Sequence, residues 1–253
     1  PQNGEICLNH VSFQYEAGVK ALDDVSLTIR PGTVTALVGE SGGGKSTVAN
    51  LIARFWDVSE GSVTVGGVEV RELDYADWMK HISIVFQDTN LFKMSVAENV
   101  AMYKPGASQE EIMEALRQAR CEDILEKLPN GVDSVIGARG VYLSGGEMQR
   151  IALARAILKD APIVLLDEAT AFADAENEYL IQKALDILLH GKTVLMIAHR
   201  LQTIVHADQI IVMQRGGIAE QGTHEELMQR QGVYAKMYHE YENSVSWKIG
   251  GLA

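Results

Sequence analysis

No apolar run among the 253 residues approaches the ~18 to 20 that would span a bilayer, so this stretch of sequence holds no membrane helix. Cysteine is almost absent. The two that occur, Cys7 and Cys121, lie far apart with no CxxC pair or histidine cluster, which argues against a disulfide or zinc framework and fits a reducing compartment. Both read as small buried apolar residues. Positive charge is short: 22 Lys and Arg stand against 34 Asp and Glu, and the formal net charge of −12 opposes general attraction to nucleic acid, so no nucleic-acid partner is expected. Any phosphate binding has to come from local geometry. There is no internal repeat, no low-complexity segment and no signal-like start. Pro1 stands first in place of methionine, and the chain reads as a piece of a longer polypeptide. What is present is ordinary for a globular protein, 47% hydrophobic and 22% charged, and long enough for one sizeable α/β domain or two packed subdomains.

Alternating apolar residues from Ile6 to Tyr15, and again from Val25 to Ile29, predict antiparallel strands ahead of the Pro31-Gly32 turn. Short apolar or β-branched runs follow at Val34–Val38, Ile82–Phe86, Ile163–Leu166, Thr193–Ile197 and Gln209–Met213, with helical stretches between them, which is the rhythm of a buried parallel sheet. Ser108-Gln109-Glu110-Glu111 has the capping-box spacing and opens a helix over Gln109–Ala119; Thr223-His224-Glu225-Glu226 repeats it before the terminal helices. The middle section reads as mostly helical, loosened around Pro129-Asn130-Gly131, and Ser244–Ala253 reads as an extended or frayed tail.

Between the run ending at Val38 and the helical Val48-Ala49-Asn50-Leu51-Ile52 lies Gly39-Glu40-Ser41-Gly42-Gly43-Gly44-Lys45-Ser46-Thr47. Its four glycines let the backbone take positive φ and turn N–H groups inward, and the helix that follows adds the partial positive charge of its N-terminus. Such a loop binds a nucleoside triphosphate: Lys45 reaches the β- and γ-phosphates, Ser46 puts a hydroxyl on magnesium and Thr47 donates to a phosphate oxygen. Further on, Ile163-Val164-Leu165-Leu166 runs into Asp167-Glu168, two adjacent carboxylates at the carboxyl edge of the sheet. Asp167 suits magnesium, directly or through water, and Glu168 suits the general base that activates water. Taken alone, this pair is equally an acidic helix start after a strand. The phosphate loop decides for the catalytic reading.

Upstream of that strand, Leu143-Ser144-Gly145-Gly146-Glu147-Met148-Gln149-Arg150 precedes an alanine-rich helix through Ile157. Taken alone, Ser144-Gly145-Gly146 is no more than an N-cap. The segment resembles the signature motif of ATP-binding cassette (ABC) proteins, usually LSGGQ, with Glu147 where glutamine is commonest. The resemblance covers nearly the whole chain, from about Ile6 to Tyr241. It implies that two cassettes pack head to tail, so that Ser144, Gly145, Gly146 and Glu147 of one close over the γ-phosphate held by the other's Gly39–Thr47 loop. It further implies that Tyr15 stacks on adenine, that Gln87 touches magnesium and relays nucleotide state to a transmembrane partner, and that His199 contacts the γ-phosphate and positions Glu168 and water. Asp174 falls where the loop that crosses the dimer interface belongs.

The segments Asp88–Val100 and Ile136-Gly137-Ala138-Arg139-Gly140 resemble the exporter-type group of that family, in which a transmembrane domain precedes the cassette on the same polypeptide. Ala138 stands where an acidic residue is usual, and Phe172-Ala173 replaces the common Ala-Leu; the wording Ala169-Thr170-Ala171-Phe172-Ala173-Asp174 resembles siderophore-related transporters built on the exporter fold, some of which import. The resemblance implies an α/β fold: a P-loop NTPase core with a parallel sheet, an N-terminal antiparallel β layer and a helical subdomain carrying the signature motif. Residues 1–243 would form one nucleotide-binding domain, with its core in 1–90 and 160–243 and its helical subdomain in about 91–159, and 244–253 would be a C-terminal tail. The implied function is ATP hydrolysis with Mg2+ at the cytoplasmic face of a membrane, by a homo- or heterodimer of cassettes. Rival readings are a soluble ABC ATPase of DNA repair or translation, for which no coiled-coil insert or tandem cassette is visible, and a non-hydrolysing regulatory cassette, which the full set of acids disfavours. A GTP switch is disfavoured because no Asn-Lys-x-Asp element is present.

Overall fold

The computed structural model describes residues 4–16, 18–86, 90–137, 141–167, 175–198 and 200–250, with Ala175, Glu176 and 244–250 described in backbone alone. In chain order these residues form β1 (Ile6–Glu16), β2 (Val19–Ile29), β3 (Val34–Gly39), α1 (Lys45–Ile52), β4 (Glu60–Val65), β5 (Val68–Glu69), α2 (Tyr75–Lys80) and β6 (Ile82–Val85). There follow β7 (Met94–Ser95), α3 (Val96–Ala101), α4 (Gln109–Gln118), α5 (Glu122–Lys127), β8 (Val135–Ile136), α6 (Gly145–Lys159), β9 (Ile163–Asp167) and α7 (Ala175–Leu189). The chain closes with β10 (Thr193–Ile197), β11 (Gln209–Gln214), β12 (Gly217–Gly222), α8 (His224–Arg230) and α9 (Val233–Gly250). They fall into two compact units, residues 1–78 with 193–253, and residues 79–192.

In the first unit the predicted N-terminal layer is an antiparallel sheet in the order β2-β1-β4-β5, with Leu8 opposite Leu27 and Phe13 opposite Leu22. The unit's other strands run β12-β11-β3-β10; β3 is parallel to both of its neighbours, and β12 turns back antiparallel on β11. Strand β3 is buried from Thr35 to Val38, the continuous burial that a central parallel strand needs and that its mostly apolar, β-branched sequence supplies. Its Leu37 and Val38 are wholly inaccessible, each a gain of roughly 1.5 to 3 kcal/mol over exposure. Ala36, Val38, Ile210 and Val212 form one core with Leu227 of α8 and Tyr234 of α9. Strands β4, β5 and β12 are not evident from the sequence. Of the segment expected as an extended or frayed tail, Ser244–Gly250 is not extended but continues α9, because neither proline nor glycine interrupts Ser244–Ile249 and a helix already under way adds residues at little cost.

The second unit carries β6 and β9 as a parallel pair, Ile82 beside Ile163 through Val85 beside Leu166. Helix α6 packs against α3, α4 and α7. It buries Ile151, Leu153, Ala154, Ala156 and Leu158, and Lys159 at its C-terminal end donates from Nζ to the carbonyls of Met79 (2.7 Å) and Ile82. The expected helical middle section is thus present, and its capping box at Ser108 forms as the spacing requires.

Candidate functional site

The loop after β3 makes a cradle from backbone alone. Gly39 has φ 135°, and a Cβ built there would stand 2.0 Å from the carbonyl oxygen of Met213 on the neighbouring β11. No side chain fits that position, since both the φ and the approach of β11 forbid it. Gly44, left-handed at φ 101°, is the N-cap of α1 and supplies no side-chain bond. Helices α3, α4, α6 and α8 each begin with a closed capping box, on Ser95, Ser108, Ser144 and Thr223. Helix α1 therefore starts with its first-turn N–H groups uncapped by any side chain and with no acidic residue in that turn, which leaves the helix terminus electropositive. Lys45 is 5% exposed, and its Nζ donates to the carbonyls of Gly39 (2.9 Å) and Glu40 (2.8 Å), so the ammonium is folded over the loop that it closes. Ser41, Gly42 and Ser46 are exposed, Gly43 and Thr47 buried, and Gly43 N–H bonds back to Glu40 O at 3.1 Å. Gly39→Ala should lower stability by at least about 3 kcal/mol, read as a fall in the urea midpoint, because the added methyl meets backbone that cannot move without breaking the β3–β11 ladder.

Tyr15 is tied to this loop through its hydroxyl, which donates to Thr47 Oγ1 and accepts from Asn50 Nδ2, both at 3.3 Å. Its ring meets Trp56 edge-on, centroids 5.4 Å apart at 90°, and Phe13 at 4.8 Å and 89°. Trp56 is half exposed and flanks the Tyr15 ring, a neighbour that the sequence reading passed over; the adjacent Phe55-Trp56 aromatic pair, just past the helix that follows the glycine loop, was the available signal.

In the second unit Ser144 is the N-cap of α6, and the box is reciprocal: Ser144 Oγ accepts from Glu147 N–H (3.2 Å) while Ser144 N–H donates to Glu147 Oε2 (2.8 Å). The hydroxyl accepts from Glu147 N–H and steadies the Glu147 carboxylate, and the N–H groups of Gly145 and Gly146 gain no partner from within the helix. The backbone of these two glycines therefore offers donors at the start of α6. Gly146 also answers to packing, since a Cβ there would lie 2.7 Å from Asn177 Cβ on α7. Glu147 Oε1 takes a bond from Lys127 Nζ at 3.1 Å. Burial pushes the Glu147 carboxyl up, but the Ser144 N–H and hydroxyl together with Lys127 outweigh it and hold the group below the ordinary carboxylate range. Beneath this pair, the buried Arg150 guanidinium grips Asp123 with two bonds of 2.6 and 2.9 Å and also donates to Arg120 O. That pairing outweighs the cost of burial and holds Asp123 low.

Asp167 ends β9 at its carboxyl edge, after four buried residues. Gln87, Ala138, Glu168, Phe172-Ala173, Asp174 and His199 lie outside the described residues. No cluster of three or more His, Cys, Asp or Glu able to hold a metal occurs among the described residues, and no described helix is long and apolar enough to cross a membrane.

A family model described as ABC transporter matches residues 22–171. The mycobactin import ATP-binding/permease protein IrtA of Mycolicibacterium thermoresistibile is 52% identical over 235 residues, covering 93% of this chain and 26% of that protein. The ATP-dependent lipid A-core flippase of Legionella pneumophila is 48% identical over 235 residues, covering 93% of this chain and 40% of the flippase. Among solved structures, a bacterial Atm1-family ABC exporter with ATP bound superposes with a TM-score of 0.88 at 37% identity, over 94% of this chain and 42% of that one. The chain thus spans less than half the length of these relatives.

Proposed function

Because this chain belongs to the ABC transporter family, we propose that it is the ATP-binding and ATP-hydrolysing motor of a membrane transporter with the exporter architecture, working at the cytoplasmic face as a head-to-tail pair of cassettes. The observation that carries the reading is the contrast between helix starts: α1 opens with a glycine, no side-chain cap, no acidic residue in its first turn and a buried lysine folded over the loop, where α3, α4, α6 and α8 close theirs with serine or threonine. An uncapped, electropositive helix start at the end of a buried parallel strand is built for an anion.

In this mechanism the Gly39–Thr47 backbone and Lys45 grip the phosphates, Tyr15 offers its face to adenine, and the donors of Ser144, Gly145 and Gly146 from a second copy close over the γ-phosphate. Glu168 takes the proton of the attacking water, with His199 orienting it. Family membership implies Mg2+ with the nucleotide, and the donor chemistry fits: Ser46 offers an exposed hydroxyl and Asp167 a carboxylate, with Gln87 the third expected ligand, all hard oxygen donors of the kind that magnesium takes. The ion would neutralise charge on the β- and γ-phosphates. Asp174 would lie where the copies meet. Hydrolysis then releases the pair, and closing and reopening drive a transmembrane domain, which we place N-terminal to the cassette on the same polypeptide. The sequence divides into a nucleotide-binding domain over 1–243, with a helical subdomain at about 91–159, and a terminal segment.

The named transporters among its relatives support this reading over a soluble ATPase of DNA repair or translation. A siderophore-related importer is the second reading, favoured by the 52% identity to a protein named for mycobactin import. Complementation tests the composite site. Lys45→Met breaks only the cradle and Ser144→Arg only the signature, so neither homodimer keeps an intact site. An equal mixture should recover up to about a quarter of the parental rate, half of the pairs being mixed and each mixed pair holding one good site. A mixture as inactive as either variant alone would place both parts in one copy and remove the head-to-tail mechanism.

A further inference from the structure

Glu147 brings a full negative charge to the first turn of a helix whose N-terminal donors, in the function proposed above, meet the phosphates of a second copy's nucleotide. Glutamine, the usual residue of that motif, brings none. The carboxylate suits the helix, since it caps Ser144 N–H and complements the positive end of the dipole, but it opposes an approaching polyanion of the same sign.

The surroundings of Glu147 resolve that conflict. Four charged side chains gather there, Asp123 and Lys127 from α5, and Glu147 and Arg150 from α6. They are paired selectively. Arg150, with 1% of its side chain exposed, is committed to both oxygens of Asp123. Lys127 lies 3.8 Å from Asp123 but 3.1 Å from Glu147 Oε1, so it is the cation that answers Glu147. Glu147 keeps only 13% of its side chain exposed, whereas Lys127 keeps 66%. A lysine so exposed adds little to folding. Its charge nevertheless sits one bond from the signature helix.

We propose that Lys127 is a positioning residue of the signature motif: it neutralises and holds Glu147, so that the start of α6 can carry a capping glutamate and still receive the partner's nucleotide phosphates. The geometry separates two uses of one carboxylate. Oε2 serves the helix through Ser144 N–H, and Oε1 serves charge balance through Lys127. Without Lys127 the remaining three, Asp123, Glu147 and Arg150, hold a net charge of −1, and Arg150 cannot turn to cover it without abandoning Asp123.

The test is a cycle in the full chain: parent, K127M, E147Q and the double variant. They are compared by KM for ATP and by the ATP concentration that half-populates the paired state, a readout that needs no turnover. K127M should raise both about three- to fivefold with kcat changed less than twofold, and the shift should shrink at high salt. In the E147Q background the same substitution should move either quantity less than 1.5-fold, and K127R should restore parental behaviour. A shift of equal size in both backgrounds, or none in the parent, overturns the proposal while leaving the motor function standing. A parent that neither hydrolyses ATP nor pairs with it brings down the motor function and this proposal together.

Discussion

Lys45→Met should weaken ATP binding about a hundredfold, ~2.7 kcal/mol, while leaving the fold within about 1 kcal/mol of the parent. The asymmetry follows from what each state asks of the side chain. In the structure, the aliphatic stem is buried and the ammonium closes the loop on the carbonyls of Gly39 and Glu40. Methionine keeps most of the buried stem. Among the lost contacts are the hydrogen bonds to the carbonyls of Gly39 and Glu40, beside an exposed stretch of loop where water can replace the donor. With nucleotide bound, the same ammonium would sit against phosphate oxygens in a cradle that excludes water, and a charge-assisted bond there has no substitute. Arginine should not rescue, because its guanidinium is bulkier than an ammonium and presents its donors in a fixed plane. Calorimetric titration with a slowly hydrolysed ATP analogue measures the difference, and thermal unfolding without nucleotide controls for the fold. Affinity within threefold of the parent would mean that the cradle holds phosphate without its lysine.

The parts of this molecule legible from sequence are those in which one residue type serves local and global structure together. Strands β1, β3, β6, β9, β10 and β11 coincide with their apolar runs to within a residue or two, because each lies in a sheet whose burial the run itself encodes. Helix starts at Ser108 and Thr223 were legible because a capping box is a four-residue pattern. Strand β12 was not, since Gly217-Ile218-Ala219-Glu220-Gln221-Gly222 has no strand pattern of its own and exists through the ladder of β11. Strand β4 likewise depends on pairing with β1.

The site divides in the same way. The glycine loop could be read as a phosphate cradle because its function is written in contiguous residues. That Gly39 is forced by a carbonyl 174 positions later, at Met213, depends on the β3–β11 register. The Lys127–Glu147 bond and the Tyr15–Trp56 corner join residues 20 and 41 positions apart through helix packing and strand placement, which no local pattern announces. Glu147 itself looked like a minor variation of a motif; its meaning depends on Lys127.

Glu168→Gln should cut steady-state ATP hydrolysis at least about a hundredfold while leaving ATP affinity within a few-fold of the parent, so that nucleotide accumulates in a closed pair. The residue follows Asp167 in the sequence, and β9 delivers Asp167 to its carboxyl edge with Ile163 to Leu166 all buried. An amide has the shape of the carboxylate and can still hold a water, but it accepts no proton at neutral pH, so only the step in which water loses its proton suffers. Substrate binding draws on other groups, the backbone cradle and Lys45, and should persist. Two measurements separate the effects: single-turnover phosphate release reports the chemical step, and light scattering with ATP reports pairing. Slow release together with a stable pair is the expected outcome. Release at the parental rate would remove Glu168 as the base and leave the catalytic proton to another group. Slow release without pairing would mean that the carboxylate acts in closing the dimer, ahead of any chemistry.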